Sequence, residues 1–202
     1  MPRQGVVASF GHAIGGLLEA VARGRTMKIQ LVCALLVALV GSGLVLGLPE
    51  RLALLVCVGA VLAAEAFNTA LEATVDLVTA EFHEKARLAK DAAAGAVLVL
   101  ALVAALVLLA VLVDHAPAMP GQAGAIARQL AAGVPLAVCA GLLLGRFDRG
   151  RAADLGLALA GLALLGLLAT WTTSAAFTLL AALIFGTCVA VAARRKPAGV
   201  SS

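Results

Sequence analysis

Residues 52–78 read LALLVCVGAVLAAEAFNTALEATVDLV, an apolar run that turns acidic in its second half. About 20 residues carry a helix across the hydrocarbon core of a bilayer, and a helix satisfies its own backbone hydrogen bonds there. In its inner half stand Glu65, Asn68, Thr69, Glu72 and Asp76. At 100° per residue they fall at about 0, −60, +40, −20 and +20° around the axis. All five share one stripe. Glu65 lies about 10 Å deeper than Glu72, at a depth where a carboxylate is costly unless paired, protonated or metal-bound. Three carboxylates on one face repel one another, so the pattern asks for a cation, and hard oxygen ligands suit Mg²⁺. The deepest of them, Glu65, suits a general base. A purely structural polar network between helices and an ion-conducting site are the alternatives to chemistry here.

The rest of the chain has the same apolar character. Of 202 residues, 63% are hydrophobic and 13% charged, and the mean hydropathy is +1.09. A soluble domain of this size needs far more polar surface. An outer-membrane barrel needs aromatic girdles, which 3% aromatic residues and no Tyr cannot supply. The predicted fold is an all-α polytopic membrane protein with about six transmembrane helices, at 29–48, 52–78, 92–113, 129–145, 152–171 and 174–193. Its net charge of +4 does not signal nucleic acid, because the basic residues sort by membrane side. Thirteen of the 15 Lys and Arg residues fall on one side of these spans, and only Arg51 and Arg128 on the other. The positive-inside rule then predicts cytoplasmic N- and C-termini in a bacterial inner membrane. Residues 1–28 are too polar for a cleavable signal peptide. Cys33, Cys57, Cys139 and Cys188 fall one per span with no CxxC spacing, which reads as small buried apolar side chains.

Before the first span, Phe10, Ile14, Leu17, Leu18 and Val21 recur at helical spacing and predict an amphipathic helix lying in the membrane interface. A hairpin turning at Pro49 follows, then a charged loop at 79–91 and the third span. Residues 116–125, with Pro117 and Pro120, read as a linker. They divide a first unit at 1–115 from a C-terminal three-helix appendage at 126–202 with no motif that names a role.

Glu65-Ala66-Phe67-Asn68-Thr69-Ala70-Leu71-Glu72-Ala73-Thr74-Val75-Asp76 resembles the signature of the prokaryotic diacylglycerol kinase and undecaprenol kinase family, E-x-aliphatic-N-S/T-A-x-E-x-x-V-D. Glu81-Phe82-His83 and Ala89-Lys90-Asp91 extend the resemblance at the family's spacing. Ser9-Phe10, Ala13 and Gly16-Leu17 resemble its N-terminal helix, so that about residues 8–113 are covered. The resemblance implies an ATP-dependent lipid kinase acting as a homotrimer, with diacylglycerol as the lipid alcohol and undecaprenol as the alternative. It implies Glu65 as catalytic base and Glu72 as the ligand of a Mg²⁺ bridging the nucleotide phosphates. His12, Glu81, Phe82, His83, Lys90 and Asp91 would surround ATP together with Glu72 and Asp76. Asn68 and Thr69 would support the stripe.

Three positions depart from the family pattern. Phe67 replaces an aliphatic residue, and His12 stands where a nucleotide-proximal Tyr is common. Gly24 occupies the position of a glutamate that shares the metal with the second motif glutamate, so the ion is expected on Glu72, phosphate oxygens and water. A catalytically degenerate member acting as a membrane scaffold is the reading that Gly24 keeps open.

Overall fold

The computed structural model describes residues 5–79, 81, 83–145 and 149–194. These residues form seven α-helices in order: α1 Val6–Arg23, α2 Arg25–Gly43, α3 Leu48–Val78, α4 Glu84–His115, α5 Ala123–Leu144, α6 Arg151–Trp171 and α7 Ala175–Ala193. Among the described residues there is no strand. Helices α2 to α7 are each long and apolar enough to cross a membrane, which makes this a multi-pass helical membrane protein.

The predicted boundaries move at three places. Residues 84–91 are the first two turns of α4 rather than a loop. The His83 ring accepts the Lys85 N–H at 3.2 Å, and Arg87 and Asp91 pair at i,i+4 spacing. Charge at a helix start therefore marks the end of the lipid, not the end of the helix. The hairpin turns at Leu44–Gly47, and Pro49 already sits in the first turn of α3, where its missing N–H costs nothing. There the Gly47 N–H donates to the Glu50 carboxylate at 2.6 Å. Finally, α5 begins at Ala123, and the connection before it is two 3₁₀ turns, Ala116–Ala118 and Pro120–Gln122.

α2 is the spine. It packs against α3, α5 and α7, while α4 lies along α3 and α6 along α5 and α7. One apolar cluster runs through all of this, joining Leu35, Leu54, Leu136, Phe177 and Phe185. Close approach along α2 depends on small residues. A Cβ at Gly41 would meet the Phe177 ring at 2.6 Å, and one at Gly43 the Gln129 side chain at 2.9 Å.

At the end of α2 away from the acidic stripe, the last carbonyls have lost their helical partners. The turn between α6 and α7 supplies new ones. The Thr173 N–H donates to Ser42 O at 2.9 Å, and the Thr173 hydroxyl donates to Leu44 O at 2.6 Å. The Gln129 amide donates to the Ser42 hydroxyl, which donates to Leu39 O at 2.9 Å. In an apolar setting every such group needs a partner. These bonds fasten α5 and the α6–α7 turn to α2.

α1 divides its apolar face between two environments. Leu18 and Val21 are buried, whereas Val6, Val7, Phe10 and Ile14 remain exposed. It packs on α7, α2 and α3.

Candidate active site

α3 has 31 residues and α4 has 32, so each is roughly 46–48 Å long at 1.5 Å per residue. That exceeds the hydrocarbon core of roughly 30 Å. The outer part of the polar stripe of α3 meets the first turns of α4, where Lys90 reaches Asp76.

The stripe descends from exposed to buried. Asp76 and Glu72 are exposed, whereas Asn68 is 6% and Glu65 2% exposed. Each carboxylate has a partner of its own. Lys90 Nζ pairs with Asp76 Oδ1 at 2.5 Å, joining α4 to α3. Asn68 Nδ2 donates to Glu72 Oε1 at 3.0 Å. The Thr26 side chain, in the first turn of α2, hydrogen-bonds Glu65. The Thr69 hydroxyl turns back to Glu65 O at 3.0 Å, so it supports the helix rather than the carboxylates. Because Glu72 needs a donor, it fixes the orientation of the Asn68 amide. The buried Asn68 Oδ1 then accepts nothing from the described residues. Buried acceptors are normally satisfied, so this atom is available to a donor that arrives.

The remaining predicted residues are placed less closely. Asp91 points into an ion pair with Arg87 at 3.8 Å. Glu81 engages Thr79 through its backbone, its N–H donating to the Thr79 hydroxyl at 3.2 Å. His83 caps α4. His12 is exposed on α1. Phe82 lies outside the described residues. Glu19, the nearest acid to Gly24 in sequence, is held by Arg23 at 2.5 Å. Among the described residues no three His, Cys, Asp or Glu side chains converge on one point.

The family description "Prokaryotic diacylglycerol kinase" matches residues 11–112, half of the chain. The match takes in Glu65 to Asp76, Lys90 and Asp91. The chain belongs to this family. It is therefore a lipid kinase. The undecaprenol kinase of Bacillus subtilis is 36% identical over 99 residues, 49% of this chain and 80% of that relative. The diacylglycerol kinase of Synechocystis sp. is 37% identical over 103 residues, 50% of this chain and 59% of that relative. No solved structure matches the chain.

Two features of this family member were not legible from the motif. Thr26 reaches Glu65 only because α2 and α3 pack together, and a lone Thr at a helix start reads as an ordinary first-turn residue. Gly24 is a spacer in tight quarters. It closes α1 by donating its N–H to Ala20 O at 2.8 Å. A Cβ there would lie 2.9 Å from Ala20 O and 3.1 Å from Met27 Cβ. The α1–α2 corner is thus closed around a glycine, and a glutamate at this position would force it open.

Proposed function

We propose that this kinase transfers the γ-phosphate of ATP to the hydroxyl of a membrane lipid alcohol at the cytoplasmic face. The observation that carries the reading is the Glu65 carboxylate, buried within a spanning helix on the same face as the exposed Glu72 and Asp76. Phosphoryl transfer requires alignment and charge neutralisation more than covalent help from the protein. Glu65 accepts the proton as the lipid oxygen bonds to the γ-phosphorus and the bond to the β-phosphate oxygen breaks, releasing ADP. Thr26 holds Glu65, and the Asn68 amide holds Glu72.

A single exposed carboxylate suits Mg²⁺, which commonly keeps several waters and takes phosphate oxygens as further ligands. Bound at Glu72, the ion supplies neutralisation of the phosphate charge. Lys90 exchanges Asp76 for a phosphate oxygen when the nucleotide enters. Asp91, Glu81, Phe82, His83 and His12 complete the nucleotide's surroundings, and Asp76 anchors Lys90 between turnovers. A homotrimer in the bacterial inner membrane, with both termini cytoplasmic, completes this reading.

Of the two lipid alcohols, undecaprenol is favoured over diacylglycerol by one observation. The undecaprenol kinase shares 80% of its own length with this chain, the diacylglycerol kinase 59%. The assay is purified protein in mixed micelles with Mg-ATP and each alcohol in turn, reading the phosphorylated lipid. Product from undecaprenol alone, or faster than from diacylglycerol, is expected. The reverse preference would exchange the substrates. No product from either at any Mg²⁺ concentration would leave the catalytically silent scaffold that Gly24 suggests.

A further inference from the structure

A cavity of about 310 Å³ meets α3 at Leu62 and Ala66, the residues that flank Glu65 along the helix. Four helices wall it, with Val21 from α1, Met27 from α2, Leu62 and Ala66 from α3, and Leu183 and Thr187 from α7. Two of these residues fix its position. Ala66 follows Glu65 in sequence, and Met27 follows Thr26, the residue bonded to Glu65. The cavity therefore stands at the depth of the Thr26–Glu65 bond. A second, larger cavity of about 450 Å³ between α2 and α4 reaches α3 only at Val58, Val61 and Leu62. Val61 is about 6 Å further along the axis than Glu65, at 1.5 Å per residue. A lipid alcohol carries its hydrocarbon chain a few bonds from its hydroxyl, so the first stretch of chain must lie level with the base.

The lining matches such a chain. Its one polar side chain among the six, Thr187, spends its hydroxyl on Leu183 O at 2.9 Å. A cavity without free polar groups stays dry or takes an apolar guest. Its volume is about twice that of the roughly 150 Å³ apolar cavity that accepts a benzene ring, enough for a segment of chain but not for a headgroup.

Resting on the kinase reading, we propose that α7 forms one wall of a pocket for the hydrocarbon chain of the lipid alcohol beside Glu65. α7 lies outside the family match, which ends at residue 112. The C-terminal helices then act on substrate choice, with Leu183 as a specificity-determining residue.

Leu183 is 71% exposed, so Leu183→Trp places an indole at the cavity mouth without displacing core atoms. The chain's single Trp, Trp171, is replaced by Phe to leave one reporter. In vesicles of phosphatidylcholine with brominated chains, the indole is quenched. Adding a few mole per cent of unbrominated undecaprenol or diacylglycerol is expected to restore at least about half of the quenched emission, because a bound alcohol excludes bulk chains by mass action. Recovery no greater than dilution with either alcohol overturns the pocket, whatever the activity. Restored emission in a protein that phosphorylates neither lipid leaves the pocket standing and removes the kinase reading. In an active enzyme, Leu183→Trp is expected to raise the KM of the lipid about tenfold with the KM of ATP unchanged, the scale of a filled apolar subsite.

Discussion

Two polar sites sit at opposite ends of the helix bundle, and they are finished differently. At one end, Ser42, Gln129 and Thr173 are uncharged, and their bonds close on one another and on the last carbonyls of α2. At the other, the α3 stripe carries three carboxylates, an ion pair that bridges two helices, and a buried amide oxygen that accepts nothing from the described residues. Both clusters answer the demand that polar groups in lipid be met. Only the second stops short of completion. A closed network holds helices, and an incomplete one awaits something from outside.

The largest effect that tests this contrast is at Glu65. Glu65→Gln keeps the shape and the Thr26 contact but cannot take a proton. Its kcat is expected to fall about a thousandfold, within the range of a lost general base, while nucleotide binding measured with a fluorescent ATP analogue persists. Lost nucleotide binding would make Glu65 a ligand site or a structural group.

Next comes Gly24. Gly24→Ala adds the Cβ that crowds Ala20 O and Met27, and is expected to cost about 2 kcal/mol of stability, the usual scale of overpacking. Gly24→Glu is expected to match the alanine variant both in stability and in the Mg²⁺ concentration giving half-maximal activity. A tighter Mg²⁺ response than that of Gly24→Ala would show that a second ligand is accepted at the corner after all.

Thr26→Val removes the donor to Glu65 and is expected to lower kcat about tenfold, as one hydrogen bond to a charged group would. Thr26→Ser should restore most of it, and a serine no better than valine would leave Thr26 a packing residue. The smallest effect belongs to the closed site. Gln129→Leu is expected to lower stability by about 0.6 kcal/mol, typical of a hydrogen bond between helices in a membrane, with kcat within about twofold of the parent. A large loss of activity there would erase the distinction between the two ends.

What could be read from sequence followed from distance along the chain. The stripe lies within three turns of one helix, so the angles of Glu65, Asn68, Glu72 and Asp76 were recoverable by arithmetic. The resemblance assigns Lys90 to the nucleotide, and its ion pair with Asp76 emerges only from the packing of α4 on α3. Thr26 on Glu65 and Thr173 on Ser42 join segments brought together by packing, and no local pattern announces either. Residues 84–91 were misjudged for a different reason. Their charges signalled departure from lipid, and a helix continuing into water looks the same in composition as a loop.

The bond from Thr173 to the end of α2 also has a bearing on how the protein is made. Ser42 and Leu44 are synthesised 129 residues or more before the threonine that covers their carbonyls. Until that turn has been inserted, translocon or water has to stand in for it. The first half of the molecule therefore reaches its mature form only after translation of the second.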